Sequence, residues 1–304
     1  MRALITKSTG LWYEAFAEGK KYIARLRGKF KLEDKKLTNP IAVGDWVEIE
    51  PNPQANNEWV ITQIHVRENY VIRSSPRKKG HDHLIASNID QGVLIVTLKK
   101  PRTSVGFIDR FLITLESFRI PGVILFNKKD LYSNKDLVRY EELKAIYEQI
   151  GYQVELTQFD SGIDQGVSAI FKGKTSLLAG HSGSGKSTLI NLLIPEANQE
   201  VSEVSDFANK GVHTTTFAEL FFVDDSSAVI DTPGIKELGL SEIEDEELSH
   251  YFPEMRQFLG KCKFHNCLHE NEPGCAVKAA VGEAISLMRY ESYLSILRNE
   301  DNRK

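Results

Sequence analysis

Gly180-His181-Ser182-Gly183-Ser184-Gly185-Lys186-Ser187 is the stretch on which the reading of this chain turns. It matches G-x-x-x-x-G-K-[ST], and its surroundings fit. An apolar run, Ser176-Leu177-Leu178-Ala179, precedes it, and a helical run opening at Thr188 and continuing through Leu189-Ile190-Asn191-Leu192-Leu193 follows. Strand, glycine-rich loop and helix together make a phosphate cradle. The glycines let backbone N–H groups turn inward, and the helix N-terminus adds partial positive charge. Lys186 is expected to reach the β- and γ-phosphates and Ser187 to ligate Mg²⁺, with the other loop residues and Thr188 around the nucleotide.

Outward from the loop, the pattern is α/β. Gly92 to Leu98 and Gly122 to Phe126 are continuous apolar runs, the mark of strands buried on both faces of a parallel sheet. Ile108 to Phe118 and Leu137 to Ile150 have helical spacing, and Thr175 to Ala179 and Ala228 to Ile230 read as strands. Alternation of strand and helix predicts an α/β domain.

The phosphate loop does not choose a base; Asn127-Lys128-Lys129-Asp130 does. It follows the strand Val123 to Phe126, as N-K-x-D does in GTPases. A carboxylate at Asp130 can accept from both the N1–H and the 2-amino group of guanine, whereas adenine offers the wrong edge. Asn127 is expected to brace the loop and Lys128 to cover the base face. The usual partner motif, S-A-[KL] after the next strand, is missing. Gln158-Phe159-Asp160-Ser161 stands there instead, and spacing names no single residue in it. GTP and GDP are therefore the expected ligands, and an ATP-dependent transporter or kinase is disfavoured.

Asp231-Thr232-Pro233-Gly234 is D-x-x-G at a strand end. Asp231 is expected to hold Mg²⁺ through water, and the Gly234 N–H to sense the γ-phosphate. In Gly211-Val212-His213-Thr214-Thr215-Thr216, Thr215 is the chosen switch threonine and second Mg²⁺ ligand, with Thr214 and Thr216 as rivals. Ile235 follows Gly234, where Ras-like GTPases hold a Gln that orients the attacking water. Ile has no polar group, so His213 is the catalytic candidate. The same gap keeps a non-hydrolysing, nucleotide-gated scaffold as the competing reading.

Cys262, Cys267, His269 and Cys275 use every cysteine of the chain within 14 residues. Soft and borderline ligands at this spacing suit one tetrahedral Zn²⁺. His265 is a rival for the fourth position. The region from about residue 240 reads as helical around this loop.

Residues 1–70 read as β, in short alternating runs (Tyr22 to Leu26, Asp45 to Ile49, Trp59 to Ile64) broken by Gly, Pro and Asn. A five-stranded OB-type barrel fits that size. Residues 1–40 carry ten Lys or Arg against four acids, although the whole chain has net charge −4. A polyanion, if bound, is expected at that end. Trp12, Trp46 and Trp59 all fall here; in so small a barrel they are expected in the core rather than as stacking platforms. A second crowd of charge, Glu242 to Glu254, reads as a solvated acidic face. No apolar stretch approaches the roughly 20 residues that span a membrane, and the N-terminus lacks a signal pattern. A cytoplasmic monomer with no membrane partner is expected.

The order of the motifs is inverted. Ordinary GTPases run phosphate loop, switch threonine, D-x-x-G, then N-K-x-D; here N-K-K-D comes first and D-T-P-G last. The fold still closes if the chain is cut after D-x-x-G and its old ends are joined. With G-H-S-G-S-G-K-S, G-V-H-T-T-T, the β-rich N-terminus and C-x4-C-x-H-x5-C, this order resembles the RsgA (YjeQ/YloQ) family of circularly permuted GTPases along nearly the whole chain. The resemblance implies an OB-type barrel (1–70), a circularly permuted P-loop GTPase domain (71–238) and a helical zinc-binding domain (239–304). It also implies binding to the 30S ribosomal subunit and its 16S rRNA late in maturation, 30S-stimulated hydrolysis, and roles for His213 in hydrolysis and Thr215 as switch threonine. The cut also places Gly234 a few residues from the zinc region, so nucleotide state is expected to reach that region along the chain.

Overall fold

Alternating short runs in the first 70 residues form β1 (Arg2–Ser8), β2 (Tyr13–Ala17), β3 (Lys20–Leu26), β4 (Trp46–Pro51) and β5 (Trp59–Ile64). The structure, a computed structural model, describes residues 1–27, 39–53, 55, 58–74, 82–197, 217–232 and 243–300. Each strand pairs in the order β1-β2-β3-β5-β4, and β1 also pairs β4, which closes a five-stranded barrel. Its interior explains the alternation. Tyr13, Ala15 and Ala17 of β2 point in with Ala3, Ile5, Ala24, Val47, Ile49 and Ile61, and the many alanines suit a lumen this narrow.

The tryptophans differ from expectation. None of the three lies in the buried core: Trp46 is exposed under the guanidinium of Arg2, 4.4 Å from the ring centre, and Trp12 carries Arg25 at 3.4 Å. Tyr13 with alanines and β-branched residues fills the lumen, and Trp59 packs only partly buried against it.

A hairpin that the sequence did not reveal, β6 (Tyr70–Ser74) and β7 (Asp82–Ser87), follows the barrel. The basic connector read between residues 74 and 80 lies, apart from residue 74, outside the described residues. Asp45, fully buried, ties barrel to hairpin. It accepts two hydrogen bonds from the Arg67 guanidinium at 2.6 and 2.7 Å, one from Ser87 Oγ at 2.6 Å and one from the Ala42 N–H at 2.8 Å.

The α/β part comprises β8 (Gln91–Val96), α1 (Val105–Ser117), β9 (Gly122–Phe126), α2 (Asn134–Gln149), β10 (Gln153–Leu156), α3 (Gln165–Phe171), β11 (Thr175–Gly180), α4 (Lys186–Leu193), β12 (Glu219–Phe222) and β13 (Ala228–Asp231). The sheet order is β10-β9-β8-β11-β13-β12, parallel except for β12. The apolar runs are continuous because both faces are covered. Leu94, Val96, Ile124, Phe126 and Leu177 pack against α1 and α2. Val93, Ile95, Val123, Leu125 and Leu178 pack against α3 and α4. Helix α1 begins three residues before the periodicity starts, because the Ser104 side chain caps it by accepting from the Phe107 N–H.

Barrel and nucleotide domain are not separate sheets. Strand β1 pairs with β12 at Lys7 and Glu219, whose side chains form an ion pair at 2.8 Å, so eleven strands make one sheet.

The C-terminal part is helical, with α5 (Pro253–Arg256), α6 (Ala276–Ala279) and α7 (Leu287–Leu297) around their own core of Phe252, Met255, Val277, Ile285 and Tyr293. Ile113 of α1 belongs to that core. The acidic stretch is not all solvated. Glu254 is buried against the fully buried Arg289, which donates to it from Nε at 2.7 Å and also pairs with buried Asp109 of α1. Tyr147 of α2 donates to Asp109 at 2.7 Å. Burial and the nearby Asp109 charge hold the Tyr147 phenol well above its ordinary pKa, so it stays a donor.

Candidate functional site

The phosphate loop leaves β11 at Gly180 and enters α4 at Lys186. Gly180 and Gly185 have φ of +151° and +111°, where L side chains are strained. Space matters as much as dihedral angle. A Cβ on Gly185 would stand 2.3 Å from Asn127 Nδ2, and one on Gly180 would stand 2.5 Å from the Ile95 carbonyl oxygen. Lys186 Nζ donates to the Gly180 carbonyl at 3.1 Å, which keeps the ammonium over the loop mouth. His181 stacks on Phe107 of α1 with ring centres 4.0 Å apart.

Asn127 joins three loops. Its Nδ2 donates to the Ser184 carbonyl at 2.9 Å, in the phosphate loop. Its Oδ1 accepts from Thr157 Oγ1 at 3.3 Å and from the Phe159 N–H at 3.1 Å, in the loop after β10. Every polar atom of the side-chain amide is engaged, which also fixes which end is nitrogen. So the two nucleotide motifs, 57 residues apart, are one hydrogen-bonded unit. Lys128 is left-handed (φ 65°), with Lys129 and Asp130 exposed beyond it. Partial burial lowers the Lys128 pKa while the carboxylates of Asp160 and Asp130 pull it back, so those two acids flank the ammonium. A concavity of 340 Å³ lies against the third loop, lined by Lys129, Thr157, Gln158, Phe159, Ser161 and Val167 among others. It marks the rim of that loop rather than the phosphate cradle.

Asp231 ends β13 beside β11. It is buried; burial pushes its carboxyl up, and Lys186 opposes that shift. Among the described residues its Oδ1 has no hydrogen-bond partner, and neither does the buried Ser184 Oγ. A buried carboxylate oxygen left without a donor, next to a phosphate cradle, suits a hydrated divalent cation. Ser187 lies on the first turn of α4. His213, Thr215, its rivals Thr214 and Thr216, and Gly234 lie outside the described residues.

The cysteine cluster is assembled. One ligand atom each from Cys262, Cys267, His269 and Cys275 lies within 4.8 Å of the others. His269 Nδ1 is 3.5 Å from Cys262 Sγ and 3.4 Å from Cys275 Sγ, and those sulfurs are 3.9 Å apart. Zn–S bonds of about 2.3 Å and Zn–N bonds of about 2.0 Å at tetrahedral angles give edges of about 3.5 Å between S and N and about 3.8 Å between two S. The residues therefore fit Zn²⁺. His265 is exposed, outside the cluster, while His269 is buried. Backbone N–H groups of Ala276 and Lys278 point at Cys262 and Cys275 Sγ at 3.4 and 3.3 Å, and Tyr290 donates to the His269 carbonyl at 2.7 Å. The N–H contacts favour thiolate, and the Tyr290 bond holds the backbone that carries the imidazole.

Thr157 and Phe107 take part in this geometry and were not found from sequence, and Phe159 lay in the loop after β10 from which no single residue was named. None sits in a recurring motif; only their tertiary partners reveal them.

Comparison with known proteins gives this arrangement a family. The RsgA GTPase family model matches residues 64–241, and the RsgA N-terminal domain model matches residues 3–60. The chain belongs to the RsgA GTPase family. RsgA proteins are P-loop GTP hydrolases. A protein of Cytophaga hutchinsonii named small ribosomal subunit biogenesis GTPase RsgA is 53% identical, with 100% of both chains covered. One of Bacteroides fragilis with the same name is 44% identical over 100% of this chain and 98% of its own. Among solved structures, YjeQ from Thermotoga maritima matches with TM-score 0.78 and 34% identity, over 100% of this chain and 99% of that one. YloQ, described as a circularly permuted GTPase, matches with TM-score 0.72 and 30% identity, over 100% and 96%. The sheet order agrees with an RsgA-type permutation: the phosphate-loop strand β11 is central yet follows β8, β9 and β10 in the chain.

Proposed function

We propose that this GTPase acts in late maturation of the small (30S) ribosomal subunit, hydrolysing GTP to GDP and phosphate faster when bound to that subunit. The observation that carries the guanine assignment is the Asn127 side chain, which locks N-K-K-D to the phosphate loop at 2.9 Å. Support for the ribosomal role comes from the names of relatives up to 53% identical over the full chain. Arg2 over Trp46 and Arg25 over Trp12 put cation–aromatic pairs on the barrel surface, chemistry suited to the phosphates and bases of 16S rRNA. Cytoplasmic location follows from that role; no described helix is long and apolar enough to cross a membrane. The protein acts as a monomer, in three units, 1–70, 71–238 and 239–304.

In this reading Asp130 accepts from guanine N1–H and the 2-amino group, and Lys128 covers the base. The Gly180–Ser187 backbone and Lys186 hold the phosphates, and Thr188 opens the helix beneath them. Ser187 and Thr215 hold Mg²⁺, with Asp231 through water; when bound it neutralises charge building on the β- and γ-phosphates. Thr215 and the Gly234 N–H sense the γ-phosphate, and His213 orients the attacking water in place of the missing Gln.

Single-turnover GTP hydrolysis with and without 30S subunits tests the function. Stimulation of at least ~10²-fold is expected, in the range of a positioned general base; a rate indifferent to 30S sinks this reading and favours the nucleotide-gated scaffold. His213→Ala should cut hydrolysis ~10²-fold or more while GDP affinity holds. A fall in affinity instead makes His213 structural.

One Zn²⁺ is assigned to Cys262, Cys267, His269 and Cys275. Cys275→Ser is expected to remove stoichiometric zinc and make residues 243–300 protease-sensitive, because Cys275 is also part of that core. Metal analysis showing no zinc in the wild-type chain would overturn the assignment.

A further inference from the structure

We propose that Tyr132 is a positioning residue for guanine selection, clasping the base-reading loop to the connector between β8 and α1. The proposal rests on the assignment of Asp130 as the base reader. Tyr132 follows the short 3-10 turn Lys129–Leu131, and its hydroxyl reaches back across the loop. It donates to the Asn127 carbonyl at 2.8 Å and accepts from the Leu98 N–H at 3.0 Å. Burial pushes the phenol up to about 12, so the proton stays on oxygen at neutral pH and both bonds persist.

The same connector grips the loop twice more. Lys128 Nζ donates to the Lys100 carbonyl at 2.6 Å, and Lys99 pairs with Asp136 at the start of α2. The connector is itself closed: Thr103 N–H donates to the Thr97 carbonyl at 2.8 Å, and the Thr97 N–H donates to Thr103 Oγ1 at 3.1 Å. Three contacts thus hold residues 128–136 against a ring of backbone that carries no guanine motif. The Tyr132 bond is distinctive because its acceptor is the carbonyl of Asn127 itself. Asn127 faces the phosphate loop through its side chain and Tyr132 through its backbone.

The phosphate contacts do not pass through this clasp directly and meet it only at the Asn127 side chain. Those of Asp130 do, since the carboxylate sits two residues from Lys128 and two from Tyr132. Losing the hydroxyl leaves the Leu98 N–H and the Asn127 carbonyl short of a partner and lets the loop shift. A carboxylate that must meet two base donors at once tolerates such a shift poorly. The loss should appear in discrimination of the base rather than in nucleotide binding as a whole.

Equilibrium titration of the full chain with fluorescent GDP and IDP tests this, because inosine lacks the 2-amino group. For Tyr132→Phe, GDP should weaken about fivefold, the size of one net hydrogen bond, and IDP less than about twofold. The GDP/IDP ratio therefore narrows. Equal weakening of both nucleotides, or no change in either, overturns the proposal. Asp130→Asn separates the two assignments, since an amide there offers a donor that suits the 2-oxo group of xanthine. If Asp130→Asn leaves guanine preference intact, the base-reader assignment fails whatever Tyr132 does. If it shifts preference to xanthosine diphosphate while Tyr132→Phe leaves the ratio unchanged, only the clasp fails.

Discussion

Gly185→Ala is expected to weaken GDP binding by ~10²-fold or more, the equivalent of about 3 kcal/mol of strain and displacement. The alanine methyl would arrive 2.3 Å from Asn127 Nδ2 and 3.1 Å from a Phe159 ring carbon, at φ +111°. It would push the amide off the Ser184 carbonyl and separate the base motif from the phosphate loop in one step. Gly151→Ala is the control. Gly151 also has positive φ, +97°, but open space where the methyl would go. It should lower stability by about 1 kcal/mol and leave GDP affinity alone. Isothermal titration of both variants decides the matter; equal affinity losses would mean that backbone strain, not the Asn127 contact, is responsible.

The second large effect is expected in the C-terminal region. Arg289→Leu should destabilise the protein by about 3–5 kcal/mol, because it strands the buried carboxylates of Asp109 and Glu254. Burial opposes the Arg289 charge, but the two acids more than offset it and hold its pKa well above the usual value. Replacing all three together, Asp109→Leu, Glu254→Met and Arg289→Leu, should restore most of the stability, since no charge then lies buried without a partner. Tryptophan fluorescence reports on the barrel alone, as all three indoles lie in residues 1–70. Circular dichroism with denaturant, or calorimetry, reads the loss of stability. A single variant within 1 kcal/mol of wild type, about the value of an exposed ion pair, would contradict the buried-cluster account.

The parts legible in the sequence are those whose chemistry is local. The phosphate loop needs glycines at fixed spacing within eight residues, and the metal cluster needs four ligands within 14. Buried parallel strands announce themselves as unbroken apolar runs. The fused sheet was not legible, because one pairing between Lys7 and Glu219 leaves no trace in either strand's pattern. Nor was the role of Glu254. The acids before it in the chain, Glu244 to Glu247, are exposed, and its own partner lies 35 residues away. The tryptophans misled for a related reason. Residue type predicts burial on average, and here Tyr13, alanines and β-branched residues already fill the lumen.

Helix α1 brings two of these features together. Phe107 in its first turn stacks on His181 of the phosphate loop. Asp109 and Ile113 reach the Arg289 cluster and the C-terminal core. At 1.5 Å per residue, only about 9 Å of continuous helix separates Phe107 from Ile113. A helix that short bends little, and no glycine or proline interrupts it after Gly106. The molecule therefore has a stiff strut between the phosphate loop and the C-terminal region. Such a strut makes the two regions one cooperative unit. Free energy gained by filling the cradle is expected to resist melting of the C-terminal region, and by reciprocity a partner gripping that region is expected to alter how tightly the cradle holds nucleotide.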